Sequence, residues 1–218
     1  NGEQSSIYLV LPYYHYNLSH AISNIRGKQL DLIFKQLFTA LDFIHKNNIA
    51  HMDIKPDNIF LDMTHTDTPR AILADFDISD SIDPYLKDTI HGTAYCFLYR
   101  PPEWLQTNGG AMNYMFTSSD IWAMGAMMGH IYSGCGSTYL FYGDDEIVHQ
   151  SEYLHSQDSI VDLDHFYKKS LESIKSFLSR PNHEWAILNM SPSLQTIQRR
   201  EMFADLIRHT CEIDYTKR

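Results

Sequence analysis

Four polar residues are spaced so that their side chains could act together in one chemical step. Asp53 stands two residues before Lys55 and five before Asn58, and Asp75 follows after a short gap. A carboxylate can accept a hydroxyl proton, an ammonium group can neutralise charge on a transferred phosphoryl group, and amide and carboxylate oxygens bind divalent ions such as Mg²⁺. Because phosphoryl transfer depends mainly on positioning and charge stabilisation, these residue types together predict a site for that reaction.

An amphipathic helix is predicted directly before these residues. Apolar residues recur at i, i+3, i+4 and i+7 from Leu30 to Ile44, and the polar run Lys46-Asn47-Asn48 ends the pattern. The segment from Ile121 to Tyr132 is apolar nearly all round, which is typical of a buried central helix. Two further helical stripes follow: Tyr167, Leu171, Ile174 and Leu178, terminated by Pro181, and then Met202, Phe203, Leu206 and Ile207. The pattern predicts a mainly α fold with short β-strands around Asp53.

The composition limits the function classes. The 218 residues are 44% apolar, carry a net charge of −10 and include three widely spaced cysteines. The odd number of cysteines favours a reducing compartment, so we expect an intracellular protein, cytoplasmic or nuclear. The acidic charge argues against a nucleic-acid partner, and no apolar run reaches the roughly 18 residues of a membrane-spanning helix. One domain is the natural count for this length.

The residues around Asp53 resemble the catalytic loop of eukaryotic protein kinases. His51-Met52-Asp53 is similar to their His-Arg-Asp, with Lys55 at plus two and Asn58 at plus five, and Asp75-Phe76-Asp77 is similar to their Asp-Phe-Gly. The resemblance implies that Asp53 orients or deprotonates the substrate hydroxyl and that Lys55 stabilises the transferred phosphoryl group. It also implies that Asn58 and Asp75 hold Mg²⁺, with Mn²⁺ as an alternative ion, and that ATP is the phosphoryl donor.

Three later segments resemble further kinase elements in the family's order. Pro102-Glu103 is similar to the Ala-Pro-Glu that closes the activation segment, Ser119 to Gly125 to the central helix, and Asp214 to Arg218 to a late Asp-Pro-x-x-Arg element. The resemblance covers almost the whole chain. It implies a protein-kinase-like C-terminal lobe over residues 1–218, with an activation segment at residues 75–103, in which Glu103 pairs with Arg218.

The beginning of the chain resembles the strand and hinge that lead into this lobe. Ile7 to Leu11 alternates like a β-strand, and residues 1–14 would form the last strand of the small lobe and the hinge. Leu11 would be the gatekeeper, Pro12 would offer its carbonyl to the adenine amino group, and Tyr14 would supply backbone N–H and C=O groups.

Two more residues complete the nucleotide site that the resemblance implies. Asn17 would lie at the ribose, and Phe60 would form the floor under adenine. The Gly-rich loop and the strand lysine of the family are not seen before Ile7. We therefore expect the rest of the small lobe, a partner for these residues, to belong to a longer polypeptide, and we expect residues 1–218 alone to fold but to be inactive.

The type of kinase is indicated by shorter similarities. Lys55 followed by Pro56 is the pattern of Ser/Thr kinases, so the implied substrate is a protein with a Ser or Thr hydroxyl. Tyr99 to Glu103, Leu140 to Ile147, and the opening Ile7 to Val10 with His15 resemble segments of the group that includes the cyclin-dependent and mitogen-activated kinases.

Three departures from the family pattern keep a second interpretation open. Met52 replaces an Arg that pairs with phosphorylated activation loops in many kinases, Asp77 replaces a Gly, and Cys96 stands where Ser/Thr kinases place a Thr. The alternative is a pseudokinase that acts as an interaction scaffold. The loss of the Arg also argues against a phosphorylation switch at the candidate hydroxyl residues of the activation segment: Ser79, Ser81, Tyr85 and Thr89.

The resemblance also implies architectural roles for two polar residues. His51 is expected to pack on Phe76 and to hydrogen-bond the backbone. Asp120, at the start of the central helix, is expected to hold the backbone of the catalytic loop. Neither residue is expected to take part in the chemistry.

Overall fold

Helices make up most of the architecture, as predicted. The structure is a computed structural model that describes residues 8–25, 27–65, 67–81, 97–106, 116–132, 140–142, 163–181 and 197–218. Its α-helices are α1 (Leu18–Ala21), α2 (Lys28–Lys46), α3 (Pro102–Gln106), α4 (Phe116–Tyr132), α5 (Leu163–Ser179) and α6 (Ile197–Thr210). Its strands are β1 (Tyr16–Asn17), β2 (Ile49–Ala50), β3 (Ile59–Asp62), β4 (Arg70–Leu73) and β5 (Asp80–Ser81), and its 3₁₀ helices are Pro56–Asn58, Phe97–Tyr99 and Tyr215–Lys217.

Helix α2 forms where the apolar stripe predicted it. The buried positions of the helix are Leu30, Ile33, Phe34, Leu37, Leu41 and Ile44, which share one face. The helix stops at the predicted polar run, because Asn48 adopts a left-handed backbone with φ of 58°, a conformation that Asn tolerates better than most residues. This stop directs the chain into β2 and towards Asp53.

Helix α4 is the buried centre of the lobe, which confirms the prediction for Ile121 to Tyr132. Trp122, Met124 and Met127 are fully buried, and Ala126 and Ile131 nearly so. None of the helices in the described ranges is both long enough and apolar enough to cross a membrane. The all-round apolar character of α4 is therefore used for packing within the lobe.

Close contact between α4 and α6 depends on a glycine. A Cβ atom added to Gly125 would lie 2.1 Å from Thr210 Oγ1 and 2.8 Å from Cys211 Sγ. The thiol of Cys211 is fully buried, and burial raises its pKa to about 12. The end of α6 is thus in direct contact with the middle of α4.

The helical stripes predicted for α5 and α6 are only partly buried. In α5, Tyr167 and Ile174 are buried, and the helix ends at Ser179, before Pro181. In α6, the predicted helix is confirmed, and Phe203 and Ile207 are buried, whereas Met202 and Leu206 of the same stripe are 65% and 40% exposed. The stripe is wider than the face that packs on α4, so these two side chains line an open groove of about 550 Å³ between α2 and α6.

Two small antiparallel sheets surround the predicted site. One has the order β1-β3-β4, with Asn17 opposite Phe60 and Ile59 opposite Leu73. The other pairs β2 with β5, so that Ala50 lies opposite Asp80. Gln36 of α2 supports the first sheet, since its side chain donates to Pro69 O at 2.9 Å and accepts from Ala71 N at 2.8 Å. The predicted short strands around Asp53 are therefore confirmed.

The strand predicted for Ile7 to Leu11 is wrong within its described part. Residues 8–14 contain no regular secondary structure, and Val10 is 92% exposed. An extended segment becomes a strand only when its N–H and C=O groups pair with another strand, and no described strand lies beside this one. The alternation of residue types is typical of a strand, but it does not show whether another strand lies alongside to pair with this segment.

Candidate active site

The Asp53 carboxylate is held in one orientation by the two residues predicted to work with it. Its Oδ2 atom accepts hydrogen bonds from Lys55 Nζ at 2.5 Å and from Asn58 Nδ2 at 2.8 Å. Asn58 Nδ2 also donates to the Asp53 main-chain oxygen at 2.9 Å. Asp53 is only 8% exposed, and its Oδ1 atom accepts no hydrogen bond from the described residues. One carboxylate oxygen is thus fixed and the other is open to a substrate.

A proline turn brings these three side chains together. Lys55 has an extended backbone, and Pro56 begins the 3₁₀ helix that ends at Asn58, with Asn58 N donating to Lys55 O at 3.1 Å. Pro suits this first helical position because its fixed φ matches a helix and its missing N–H would have had no partner there. The turn returns Asn58 to the side of Asp53.

Asp120 of α4 anchors the backbone just before Asp53, as predicted. Its Oδ2 atom accepts from His51 N at 2.8 Å and from His45 Nε2 at 2.9 Å, and its Oδ1 atom accepts from Met52 N at 2.8 Å. Asp120 is fully buried, and these three donors compensate its desolvation. Met52 has φ of 68°, which a non-glycine residue keeps only where its surroundings hold it.

His51 connects the Asp53 loop with the Asp75 segment, and its neighbours define its tautomer. Asp53 N can only donate, so His51 Nδ1 accepts from it at 3.2 Å, and Ala74 O can only accept, so Nε2 donates to it at 2.8 Å. The ring also packs on Phe76, with centroids 4.7 Å apart. Burial lowers the pKa of His51, which favours the same neutral form. The predicted structural role of His51 is confirmed.

Asp75 is placed beside Asn58 by strand pairing. Strand β4 pairs with β3, and Ala74 N donates to Asn58 O at 2.9 Å, so Asp75 directly follows the residue bonded to Asn58. Asp75 is exposed, and within the described residues its carboxylate makes no hydrogen bond or ion pair. Mg²⁺ is usually bound by one or two carboxylates together with substrate phosphates. The open Asp75 carboxylate fits that ion, and so does Asn58 Oδ1, which accepts no hydrogen bond from the described residues.

The Asp-for-Gly replacement at Asp77 causes no backbone strain in this conformation. The non-glycine residues with positive φ in the described ranges are Asn48, Met52 and Asp75. Asp77 is not among them, so the backbone freedom of a glycine is not needed at its position. Its exposed carboxylate lies two residues from Asp75.

The residues predicted for the nucleotide are brought together in part. Asn17 lies opposite Phe60 in the β1-β3 pair, and the rings of Tyr14 and Phe60 stack with centroids 5.9 Å apart. Asn17 Oδ1 accepts from His20 N at 2.9 Å and so caps α1. Leu11 and Pro12 are exposed and lie outside the strands. The adenine and ribose roles of these five residues remain predictions.

The predicted pair of Glu103 and Arg218 is formed. Arg218 Nη2 donates to Glu103 Oε2, and Nη1 donates to Ser118 O at 3.1 Å. Both side chains are buried, and the Arg218 guanidinium lies 5.2 Å from the centre of the Trp122 ring. This pair joins the end of the chain to α3 and α4.

Sequence reasoning did not identify two contacts of this site. His45 is 75 residues from Asp120, and Ser79, whose Oγ donates to His51 O at 3.1 Å, is 28 residues from His51. No spacing rule links such distant residues. Other predictions fall on residues outside the described ranges: Ile7, Tyr85, Thr89, Cys96 and the part of the Leu140 to Ile147 similarity that begins at Gly143.

Comparison with known proteins identifies the family. A protein kinase domain model matches residues 1–218. A probable serine/threonine-protein kinase KIN1 homolog from Encephalitozoon cuniculi is 30% identical over 121 residues, which cover 55% of this chain and 19% of that protein. The CTD kinase subunit alpha of Saccharomyces cerevisiae is 28% identical over 148 residues, which cover 66% of this chain and 26% of that protein.

A solved structure gives the same result for the fold. A chain in the crystal structure of the yeast RNA Pol II CTD kinase CTDK-1 complex matches with a TM-score of 0.60 and 20% identity, covering 94% of this chain and 64% of that chain. The protein therefore belongs to the protein kinase family. Similarity to a CTD kinase also supports the predicted resemblance to the cyclin-dependent and mitogen-activated group.

Proposed function

We propose that the full-length protein is a protein serine/threonine kinase that transfers the γ-phosphoryl group of ATP to protein hydroxyls. The observation that carries this proposal is the state of Asp53: Lys55 and Asn58 hold Oδ2, while Oδ1 has no partner among the described residues. A carboxylate with one fixed and one open oxygen is suited to receive a hydroxyl proton. The relatives named as serine/threonine kinases support the activity.

In the proposed reaction, each of the four polar residues of the site has its own role. Asp53 Oδ1 accepts the hydrogen bond of the substrate hydroxyl and takes its proton as the hydroxyl oxygen attacks the γ-phosphorus. The bond from that phosphorus to the β,γ-bridging oxygen breaks, and ADP leaves. Lys55 brings positive charge to within 2.5 Å of that carboxylate, where it also offsets charge on the transferred group. Asn58 Oδ1 and Asp75 would hold Mg²⁺. When bound, this ion offsets the charge on the nucleotide phosphates.

The scaffold alternative receives less support from the same geometry. A pseudokinase could lose the open oxygen of Asp53 or the open carboxylate of Asp75 without harm. Both are retained, and Asp77 occupies its position without a left-handed backbone. Met52 likewise does not disturb the loop, because Asp120 holds its N–H at 2.8 Å. Two of the departures from the family pattern are thus compatible with catalysis.

Labelled phosphate transfer tests the proposal. The full-length protein is incubated with γ-labelled ATP, Mg²⁺ and a peptide library containing Ser, Thr and Tyr, and the labelled amino acid is identified after hydrolysis. We expect label on Ser or Thr that depends on Mg²⁺. Label on Tyr alone would contradict the serine/threonine assignment, and binding of Mg²⁺ and ATP without any transfer would support the scaffold alternative.

A further inference from the structure

Each end of the Asp75 segment forms a hydrogen bond with the same residue, His51. At the beginning, Ala74 O accepts from His51 Nε2 at 2.8 Å. At the other end, Ser79 Oγ donates to His51 O at 3.1 Å. Residues 74–79 therefore form a loop whose two ends both meet His51, with Asp75 inside it. We call residues 74–79 the Asp75 loop.

The chain continues from this loop into a short sheet. Asp80 and Ser81 form β5 and pair with Ala50 and Ile49 of β2, immediately before His51. Ser79 N also donates to Phe76 O at 3.1 Å, which closes a turn within the loop. The Ser79 hydroxyl is thus the side-chain contact that joins the end of this turn to the catalytic backbone.

Asp75 needs such support because its own contacts do not fix it. Its φ is 65°, a left-handed conformation that side chains resist, and its carboxylate makes no hydrogen bond or ion pair with the described residues. A strained residue persists only where the surrounding structure holds it. The contacts at Ala74 and Ser79 supply that constraint from either side.

Met52 makes this constraint more important. The residue at this position is apolar and almost fully buried, so it offers no cation to a phosphorylated activation segment. In the unmodified protein, the contacts at Ala74 and Ser79 hold the Asp75 loop. The Ser79 hydroxyl, which is partly buried against His51 O, is such a contact.

We propose that Ser79 is a positioning residue whose hydroxyl latches the Asp75 loop onto His51 and so keeps Asp75 in place for Mg²⁺ and ATP. This inference rests on the proposed function for its metal and nucleotide, but the latch itself is a property of the protein alone. It assigns Ser79 a role in the unmodified protein.

Hydrogen exchange tests the latch without any ligand. In the full-length protein, Ser79→Ala removes the donor with almost no change in volume, and Ser79→Thr keeps a hydroxyl. Since a hydrogen bond of this kind contributes modestly, we expect peptides covering residues 74–81 to exchange about threefold to tenfold faster in the Ala variant and at the normal rate in the Thr variant. Ser179→Ala, at an exposed serine of α5, is the control.

Titration of nucleotide binding tests the positioning role. Calorimetry with Mg²⁺ and ATP should show about threefold to tenfold weaker Mg²⁺-dependent binding for Ser79→Ala, with Ser79→Thr and Ser179→Ala unchanged. Unchanged exchange at residues 74–81 would overturn the latch, and so would faster exchange over the whole domain. Faster exchange with unchanged Mg²⁺-dependent binding would overturn the positioning role. If the wild-type protein binds no Mg²⁺ and ATP, the proposed function fails, and the exchange result still decides the latch.

Discussion

Asp75 and Asp77 are two exposed carboxylates in the same turn, and the proposed function gives them different roles. Asp75 follows the residue that bonds to Asn58, whereas Asp77 lies further along the turn. We expect Asp75→Ala to abolish the Mg²⁺-dependent thermal shift that ATP causes in the full-length protein, because the other carboxylate beside Asn58, that of Asp53, already accepts hydrogen bonds from Lys55 and Asn58. Asp77→Ala, the matched control, should retain the shift.

The opposite result would change the metal site. If Asp75→Ala retains a Mg²⁺-dependent shift and the double variant Asp75→Ala/Asp77→Ala does not, Asp77 is a working ligand. The extra carboxylate would then have a function that the family pattern lacks.

At the scale of single residues, the sequence could identify those site residues that are close together in the chain. Asp53, Lys55 and Asn58 lie within six positions, and one proline turn is enough to bring them together. His45 and Ser79 could not be found, because their contacts depend on how α2, α4 and β5 are placed in space. The sequence suggested the anchor role of Asp120 only through the family resemblance.

At the scale of elements, His130 of α4 makes stability depend on pH. Burial lowers its pKa from 6.5 to about 4, and Tyr99 Oη lies 2.9 Å from its Nδ1. The unfolded chain binds a proton near pH 6.5 and the folded chain does not, so the stability from neutral His130 is present above pH 6.5 and is lost as pH falls towards 4. The linkage corresponds to roughly 3 kcal/mol over that window.

Replacement of His130 tests this linkage. We expect the unfolding free energy of the full-length protein, measured with urea between pH 7 and pH 4, to fall less steeply in His130→Gln than in the wild type. Equal slopes in the two proteins would show that His130 is not held neutral.

Gly125 sets how closely α6 approaches α4. Gly125→Ala would improve helix propensity by about 1 kcal/mol, but its Cβ would overlap Thr210, whose hydroxyl is tied to Leu206 O at 2.8 Å. We expect a net loss of about 1–3 kcal/mol in unfolding free energy, measured by denaturant titration. Gly129→Ala should lose less, because the three nearest atoms to its Cβ all belong to the Leu140 side chain, which can move. A Gly125→Ala protein as stable as the wild type would contradict this close packing.

Helices and strands could be predicted from the sequence where one residue pattern indicates both the type of the element and what it pairs or packs with. The buried face of α2 matched its stripe completely because a helix makes its own backbone hydrogen bonds. The strand expected at Ile7 to Leu11 is absent from the described residues 8–11, because a strand requires a neighbouring strand that periodicity does not reveal. The exposed Met202 and Leu206 show a further limit. An apolar stripe predicts a helix, but it does not show which of its side chains the neighbouring elements will cover.

At the scale of the whole molecule, Glu103 and Arg218 join residues 115 positions apart. Both side chains are buried, so removing one partner leaves a buried charge without compensation. We expect Arg218→Met to cost about 3–5 kcal/mol of unfolding free energy, measured by denaturant titration of the kinase domain in the full-length protein. The double variant Glu103→Gln/Arg218→Met should lose less than Arg218→Met alone. If the double variant loses as much as the sum of the two single variants, the pair is not coupled.

The family resemblance, and not the composition, made the long-range organisation predictable. Five motifs in the order of the family placed the Asp53 loop, the Asp75 segment and the Glu103–Arg218 pair in one lobe, and a protein kinase domain model matches residues 1–218. The net charge and the helical periodicity alone would have fitted many α-helical folds. The contacts among Tyr132, Asp31 and Arg199, which connect α4, α2 and α6, had no signal in the sequence.

The most direct test of the catalytic assignment compares two aspartates of the same loop. Asp53→Asn removes the proton acceptor, while Asp57→Asn makes the same chemical change at an exposed residue four positions later. In the full-length protein with saturating ATP and Mg²⁺, steady-state phosphorylation of a Ser/Thr peptide should show kcat lowered by at least about 100-fold for Asp53→Asn and unchanged for Asp57→Asn. An Asp53→Asn enzyme with the turnover of the wild type would contradict the assignment.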